Sequence, residues 1–230
     1  MKNNSSIKTV VAVGIGAALF FVLGRFVAIP SPVPNTNISL QYAVLALLAT
    51  MYGPVAGGLI GFIGHALIDL SWGGSPWWSW VITSAFVGVV IGLFAKKLDV
   101  QEGEFGKGKV AVFVVANVIA HVIGWVVVAP VLDILIYAEP ANKVFAQGVF
   151  AAVSNTVTGV IVGGLLVLAY TRRLPRRVPW IRNKIWSCCS QVFMQKWTAS
   201  EKPSHVAYMA CEKAFSIVDQ IVFLNCFCSY

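Results

Sequence analysis

Between Tyr52 and Asp69 the chain places Gly53, Gly57, Gly61, His65 and Asp69 at intervals of four. Residues at that interval share one face of an α-helix. Half of this face is bare backbone and half is ionisable, while the rest of the segment is almost entirely apolar. In lipid, a glycine stripe lets a neighbouring helix approach closely, and a His and an Asp at membrane depth must face protein or a water-filled cavity. The stripe therefore predicts a tight helix–helix seam that runs into a polar pocket. A plainer reading also stands: His65 and Asp69 satisfy each other near the helix end and do nothing more.

Composition justifies treating lipid as the solvent. Of the 230 residues, 58% are hydrophobic and 11% charged, and mean hydropathy is +0.79; a soluble domain would carry roughly a quarter charged residues. This is the signature of an integral membrane protein. The net charge of +8 does not imply nucleic acid. Residues 1–171 hold 8 Lys/Arg against 6 Asp/Glu, and residues 172–230 hold 9 against 3. The excess thus lies in the tail and at membrane-flanking positions, where its partner is the lipid surface. All five cysteines (Cys188, Cys189, Cys211, Cys226, Cys228) fall in the tail, so no disulfide or thiol chemistry is expected within the membrane part.

In chain order, Thr9–Ile29 predicts a first span, uncleaved because no small-residue cleavage site follows it. It carries two small-residue pairs suited to helix docking, Ala12 with Gly16 and Gly14 with Ala18. Residues 30–37 form a proline-rich loop. Ile38–Tyr52 is apolar but short for a span. Pro54 opens a third helix ending near Leu70. Ser71–Trp80 then holds four tryptophans broken by Gly-Gly and Pro. Such a segment suits an interfacial aromatic belt, and equally a stacking surface for a flat ligand. A fourth helix from about Trp77 to Ala95 aligns Trp80, Ser84, Gly88 and Gly92. A fifth, from Val110 to about Ala129, aligns Asn117, His121 and Trp125, with Pro130 ending or bending it. Asp133–Asn142 is expected as an outer loop. A sixth helix, about Lys143 to Tyr170, aligns Gln147, Ala151, Asn155 and Gly159. Convergence of these polar stripes on one cavity is the expectation, because unpaired amides and imidazoles in lipid are costly. Gly103–Lys109 nearly matches a phosphate-binding loop, but Val110 lacks the hydroxyl for magnesium and a membrane helix follows.

Basic residues fix the orientation. Lys2, Lys8, Lys96, Lys97, Lys107, Lys109, Arg172 and Arg173 fall on alternate loops, whereas the other side holds only Arg25 and Lys143 near helix ends. The expected architecture is all-α, with six transmembrane helices, both ends of the 1–171 domain cytoplasmic, and a polar pocket open to the outside.

These residues resemble the substrate-binding S components of energy-coupling factor (ECF) vitamin transporters, in the riboflavin-type group. The match rests on the small-residue face of helix 1, on Asn35–Gln41 (N-T-N-I-S-L-Q), on Tyr52-Gly-Pro-x-x-Gly-Gly-x-x-Gly-Phe-x-Gly-His65 with Asp69, and on Ser154-Asn-Thr-Val-Thr158. It covers roughly residues 5–171. The resemblance implies a bacterial cell-membrane subunit, not an enzyme, with no ATPase and no cofactor of its own. Such a subunit binds a micronutrient from outside, docks to a T component driven by two ATPases and topples to release its cargo. It further implies that helix 1 meets the T component through an Ala-x-x-x-Ala pattern, kept in size as Ala12-x-x-x-Gly16. The ligand would lie under the loops after helices 1, 3 and 5. The substrate-binding residues expected are Asn35, Asn37, Gln41, His65, Asp69, Trp72, Trp77, Trp80, Asn117, His121, Trp125 and Asn155. An ion-coupled secondary transporter is an alternative, as is an intramembrane metal-dependent hydrolase using His65, Asp69 and His121. Residues 172–230 depart from the family pattern and are expected to be a fused or frame-shifted tail with no role in transport.

Overall fold

A computed structural model describes residues 3–103 and 105–173. The described residues up to Arg172 belong to one compact unit. Expectations about the cysteine-bearing tail lie outside the described residues.

Helix α1 spans Asn3–Phe26, starting before and ending short of the Thr9–Ile29 expectation. Ile29–Pro30 (β1) pairs antiparallel with Asn37–Ile38 (β2), so the proline-rich segment is the tip of a small hairpin. Ser31 and Thr36 stitch that tip by a 2.6 Å hydroxyl pair and by bonds to the Val33 carbonyl. Helices α2 (Gln41–Tyr52) and α3 (Pro54–Leu70) follow, separated only by Gly53. Its φ of +88° is a conformation that glycine adopts without a Cβ penalty. Next come α4 (Trp78–Leu93), a short α5 (Ala95–Leu98) and a 3₁₀ turn at Val100–Glu102.

The fifth helix does not stop at Pro130. Helix α6 (Lys107–Val122) passes through a π-helical stretch, Ile123–Val128, into α7 (Ala129–Tyr137), one continuous run of 31 residues. Proline lacks an N–H and its ring clashes with the carbonyl four residues back. The wide turn just before Pro130 changes the bonding register where that conflict would arise. The expected outer loop from Asp133 therefore shrinks to three residues, Ala138–Pro140. Helix α8 (Ala141–Thr158) likewise continues through a π-helical Gly159–Gly163 into α9 (Gly164–Arg173).

Among the described residues, four helical stretches are long and apolar enough to cross a bilayer: Ile7–Phe26, Trp78–Leu98, Lys107–Tyr137 and Ala141–Arg173. Helices α2 and α3, with 12 and 17 residues, reach only about 18 and 26 Å against a hydrocarbon core of about 30 Å. Where six spans were expected, the structure gives four of spanning length and two shorter apolar helices. Large apolar side chains remain exposed on the bundle's outside, among them Ile15, Leu19, Leu59, Leu67, Val118 and Val122. That surface suits lipid, as a multi-pass membrane protein requires.

Helices α3 and α4 form the seam that the glycine stripe predicted. A Cβ built on Gly57 would strike the Gly88 carbonyl oxygen and one on Gly88 would strike that of Gly57, while Gly61 abuts the backbone of Ser84 and Gly92 that of Pro54. The two backbones touch because neither side carries a side chain there.

Helix α1 sets its two small pairs in different surroundings. Ala12 is buried, and Gly16 lies against Leu48 and Ile60 of the same chain, so this pair packs inward. Gly14 and Ala18 are the exposed small pair, and nothing lies within 4 Å of a Cβ placed on Gly14. Two stripes about half a turn apart are equally small in sequence, and only packing distinguishes them.

Candidate functional site

One cavity of about 430 Å³ opens at one end of the bundle. Its wall draws on the C-terminal ends of α1, α3 and α7, the N-terminal ends of α2, α4 and α8, the hairpin and the tryptophan segment. An up-and-down helix order brings those ends together. Ten of the twelve expected site residues stand in the wall: Asn35, Asn37, Gln41, His65, Asp69, Trp72, Trp77, Trp80, Trp125 and Asn155. Asn155 forms part of the floor, fourteen residues or about 21 Å along its helix from Ala141.

Asn117 and His121 lie outside the wall. Both are fully buried, near the Gly159 backbone. The His121 ring lies edge-on to Tyr42, with centroids 5.3 Å apart. Asn117 Nδ2 donates to the Phe113 carbonyl at 2.8 Å and His121 Nδ1 to the Asn117 carbonyl at 3.0 Å. They share a helical face with Trp125, but Asn117 sits eight residues, about 12 Å, from it. Spacing along a helix gives the face and not the depth, so only Trp125 reaches the cavity level.

Continuing that stripe leads to the principal residue missed in the sequence. Trp125, Ala129 and Asp133 are four apart, and all three are buried. Asp133, expected in a loop, is 2% exposed and forms part of the wall. Its Oδ1 accepts the Trp77 indole N–H at 2.6 Å, its Oδ2 the Trp80 indole N–H at 2.9 Å, and Ser79 Oγ donates to Oδ1 as well. The Trp77 ring also stacks on Tyr137, with centroids 3.9 Å apart. Reading Pro130 as a helix end hid the continuity.

A second network joins α2, α3 and α4. Ser84 Oγ lies 2.7 Å from the Tyr42 hydroxyl and 2.5 Å from His65 Nδ1. His65 Nε2 lies 3.8 Å from Asp69 Oδ1, and Asp69 Oδ2 accepts the Trp77 backbone N–H at 2.8 Å. Trp77 is thereby held at its backbone by Asp69 and at its ring by Asp133. Towards the mouth, the Arg25 guanidinium lies 3.7 Å from the centre of the Trp72 ring, Lys143 pairs with Glu139 at 2.7 Å, and Gln147 Nε2 donates to the Pro34 carbonyl at 2.8 Å. Gln147, Glu139, Lys143, Tyr42, Thr36 and Ser39 also contribute to the wall.

Ser84, His65 and Asp69 fall in the order nucleophile, base and orienting acid. Ser84 is nevertheless fully buried, engaged on both sides, and absent from the cavity wall. A nucleophile must reach its substrate; this hydroxyl ties α2 to α3.

Aromatic faces and fixed polar groups around a cavity of this size, in a bundle with a lipid-suited exterior, define a membrane protein of the small-molecule-binding class. Comparison with known proteins makes this specific. The model of the ECF-type riboflavin transporter S-component family matches residues 4–172, and the chain belongs to that family. Among its relatives, a UPF0397 protein of Enterococcus faecalis is 52% identical over 170 residues, 74% of this chain and 93% of the relative. One from Streptococcus agalactiae is 54% identical over 175 residues, 76% and 96%. One from Clostridium perfringens is 52% identical over 171 residues, 74% and 92%. An S component is a transporter subunit and not an enzyme.

Proposed function

We propose that this chain is the membrane-embedded binding subunit of an ATP-driven ECF importer, capturing a vitamin-class micronutrient from outside the cell and delivering it with a T component and two ATPases. The observation that carries this reading is the cavity at one end of the bundle, walled by tryptophans and polar side chains drawn from nearly every helix. The opposite end holds Lys96, Lys97, Lys107 and Lys109. Basic residues mark the cytoplasmic side, which supports six crossings, with α2 and α3 spanning a locally thinned bilayer, and a cavity facing out. Substrate contacts are assigned to the ten wall residues above. The T component docks on the exposed Gly14–Ala18 face of α1, flanked by Val11, Ile15 and Leu19.

The test is uptake in vesicles of a small molecule that co-purifies with the chain, measured with and without the T component and ATPases. Uptake that needs the ATPases is the expected result. Uptake by the chain alone would favour a secondary transporter instead.

A further inference from the structure

The walls of the cavity carry more negative than positive charge. Asp69, Asp133 and Glu139 stand against one cation, Lys143, and that lysine is engaged by Glu139 at 2.7 Å. The remaining pair, Asp69 and Asp133, has no Lys or Arg side chain bonded to it among the described residues. Asp133 is served by two indole N–H groups and a hydroxyl, Asp69 by a backbone N–H, with the His65 ring at 3.8 Å. Neutral donors satisfy the oxygens but leave the charge, and in a low-dielectric interior that charge acts strongly on anything entering. Arg25 lies over the Trp72 ring and is not part of the wall.

Two further features bear on what the cavity binds. Both carboxylates hold Trp77, one at its backbone and one at its indole nitrogen, so they bracket a single aromatic residue; Trp72, Trp80 and Trp125 stand in the same wall. Rings of this kind attract flat groups and cations alike. Asn155 is 5% exposed, stands in the wall and has no side-chain hydrogen bond among the described residues. An amide set in the wall of a cavity can pair with a ligand.

Resting on the binding-subunit reading above, we propose that the cavity selects an organic cation: a flat ring carrying a positively charged nitrogen. The nitrogen lies between Asp69 and Asp133, the ring lies against the tryptophans, and the Asn155 amide pairs with a polar edge of the ring. An inorganic divalent ion fits less well, since no group of three His, Cys, Asp or Glu side chains suited to metal occurs among the described residues.

The experiment incubates the purified full chain, in nanodiscs, with the small-molecule filtrate of yeast extract and identifies retained compounds by mass spectrometry. Wild type should enrich a ring compound that is positively charged at pH 7. Asp69→Asn, still monodisperse by size exclusion, should retain it at least tenfold less. Enrichment of a neutral or anionic compound instead would overturn the charge assignment while leaving the receptor reading intact. So would a cation retained by both Asp69→Asn and Asp133→Asn as well as by wild type. Enrichment of nothing above empty nanodiscs would overturn both. Should Asp69→Asn fail to fold, displacement of the retained cation from wild type by its uncharged isostere decides the matter: displacement at least tenfold weaker than by the cation itself is expected, and equal displacement would overturn the charge assignment.

Discussion

At the scale of single residues, the wall is organised by acceptors that hold aromatic donors. Asp133 is the clearest case, gathering the Trp77 and Trp80 indoles and the Ser79 hydroxyl. Asp133→Ala leaves those donors buried without a partner, at about 1–3 kcal/mol for each that water cannot reach, and a lowered thermal unfolding midpoint in detergent is the check. Trp77→Phe removes only the indole N–H and keeps a ring against Tyr137, so it should cost less. The two substitutions together should fall short of their sum by about 0.5–3 kcal/mol, as for residues sharing one network. Ser84→Ala makes a separate case: it strips one partner from both Tyr42 and His65. A loss of about 1–3 kcal/mol is expected, with ligand retention changed less than stability because Ser84 is not in the wall. Equal loss of both would place Ser84 in the binding machinery.

At the scale of helices, glycine determines where two backbones can touch. Gly57→Leu or Gly88→Val puts a side chain where the opposing carbonyl sits. Overpacking of this kind costs about 1–3 kcal/mol or more, and α3 must part from α4. Gly14→Leu has open space and should leave the unfolding midpoint unchanged, while reducing co-purification of a T component. A drop in stability would show that the Gly14 face is packed within the chain. Much of this was legible in sequence. The Gly53–Asp69 stripe gave the seam and two wall residues, and the hydrophobic runs gave the helices. What periodicity could not supply was a choice between equivalent faces on α1, the depth of Asn117 and His121, or the survival of a helix through Pro130. Each depends on contacts with neighbouring helices, which act across the chain and leave no local mark.

At the scale of the whole molecule, the clustered lysines and the cavity lie at opposite ends. The loops at α4–α6 hold Lys96, Lys97, Lys107 and Lys109, whereas the cavity end holds Asp69, Asp133 and Glu139. Because lysines near span ends are retained on the cytoplasmic side, the tryptophan segment should face outward. The orientation can be read with single cysteines in a chain whose five tail cysteines are changed to serine. Gly74→Cys and Gly106→Cys both occupy open space, so neither should disturb folding. In intact cells a membrane-impermeant maleimide should label the residue at 74 and spare that at 106. Opening the cells should then expose position 106 to the reagent. Labelling in the reverse order would put the cavity on the cytoplasmic side, where uptake from outside could not begin. Labelling of both in intact cells would mean that an odd number of crossings does not separate them, and that α4 does not traverse the bilayer as its 21-residue apolar run, Trp78–Leu98, requires.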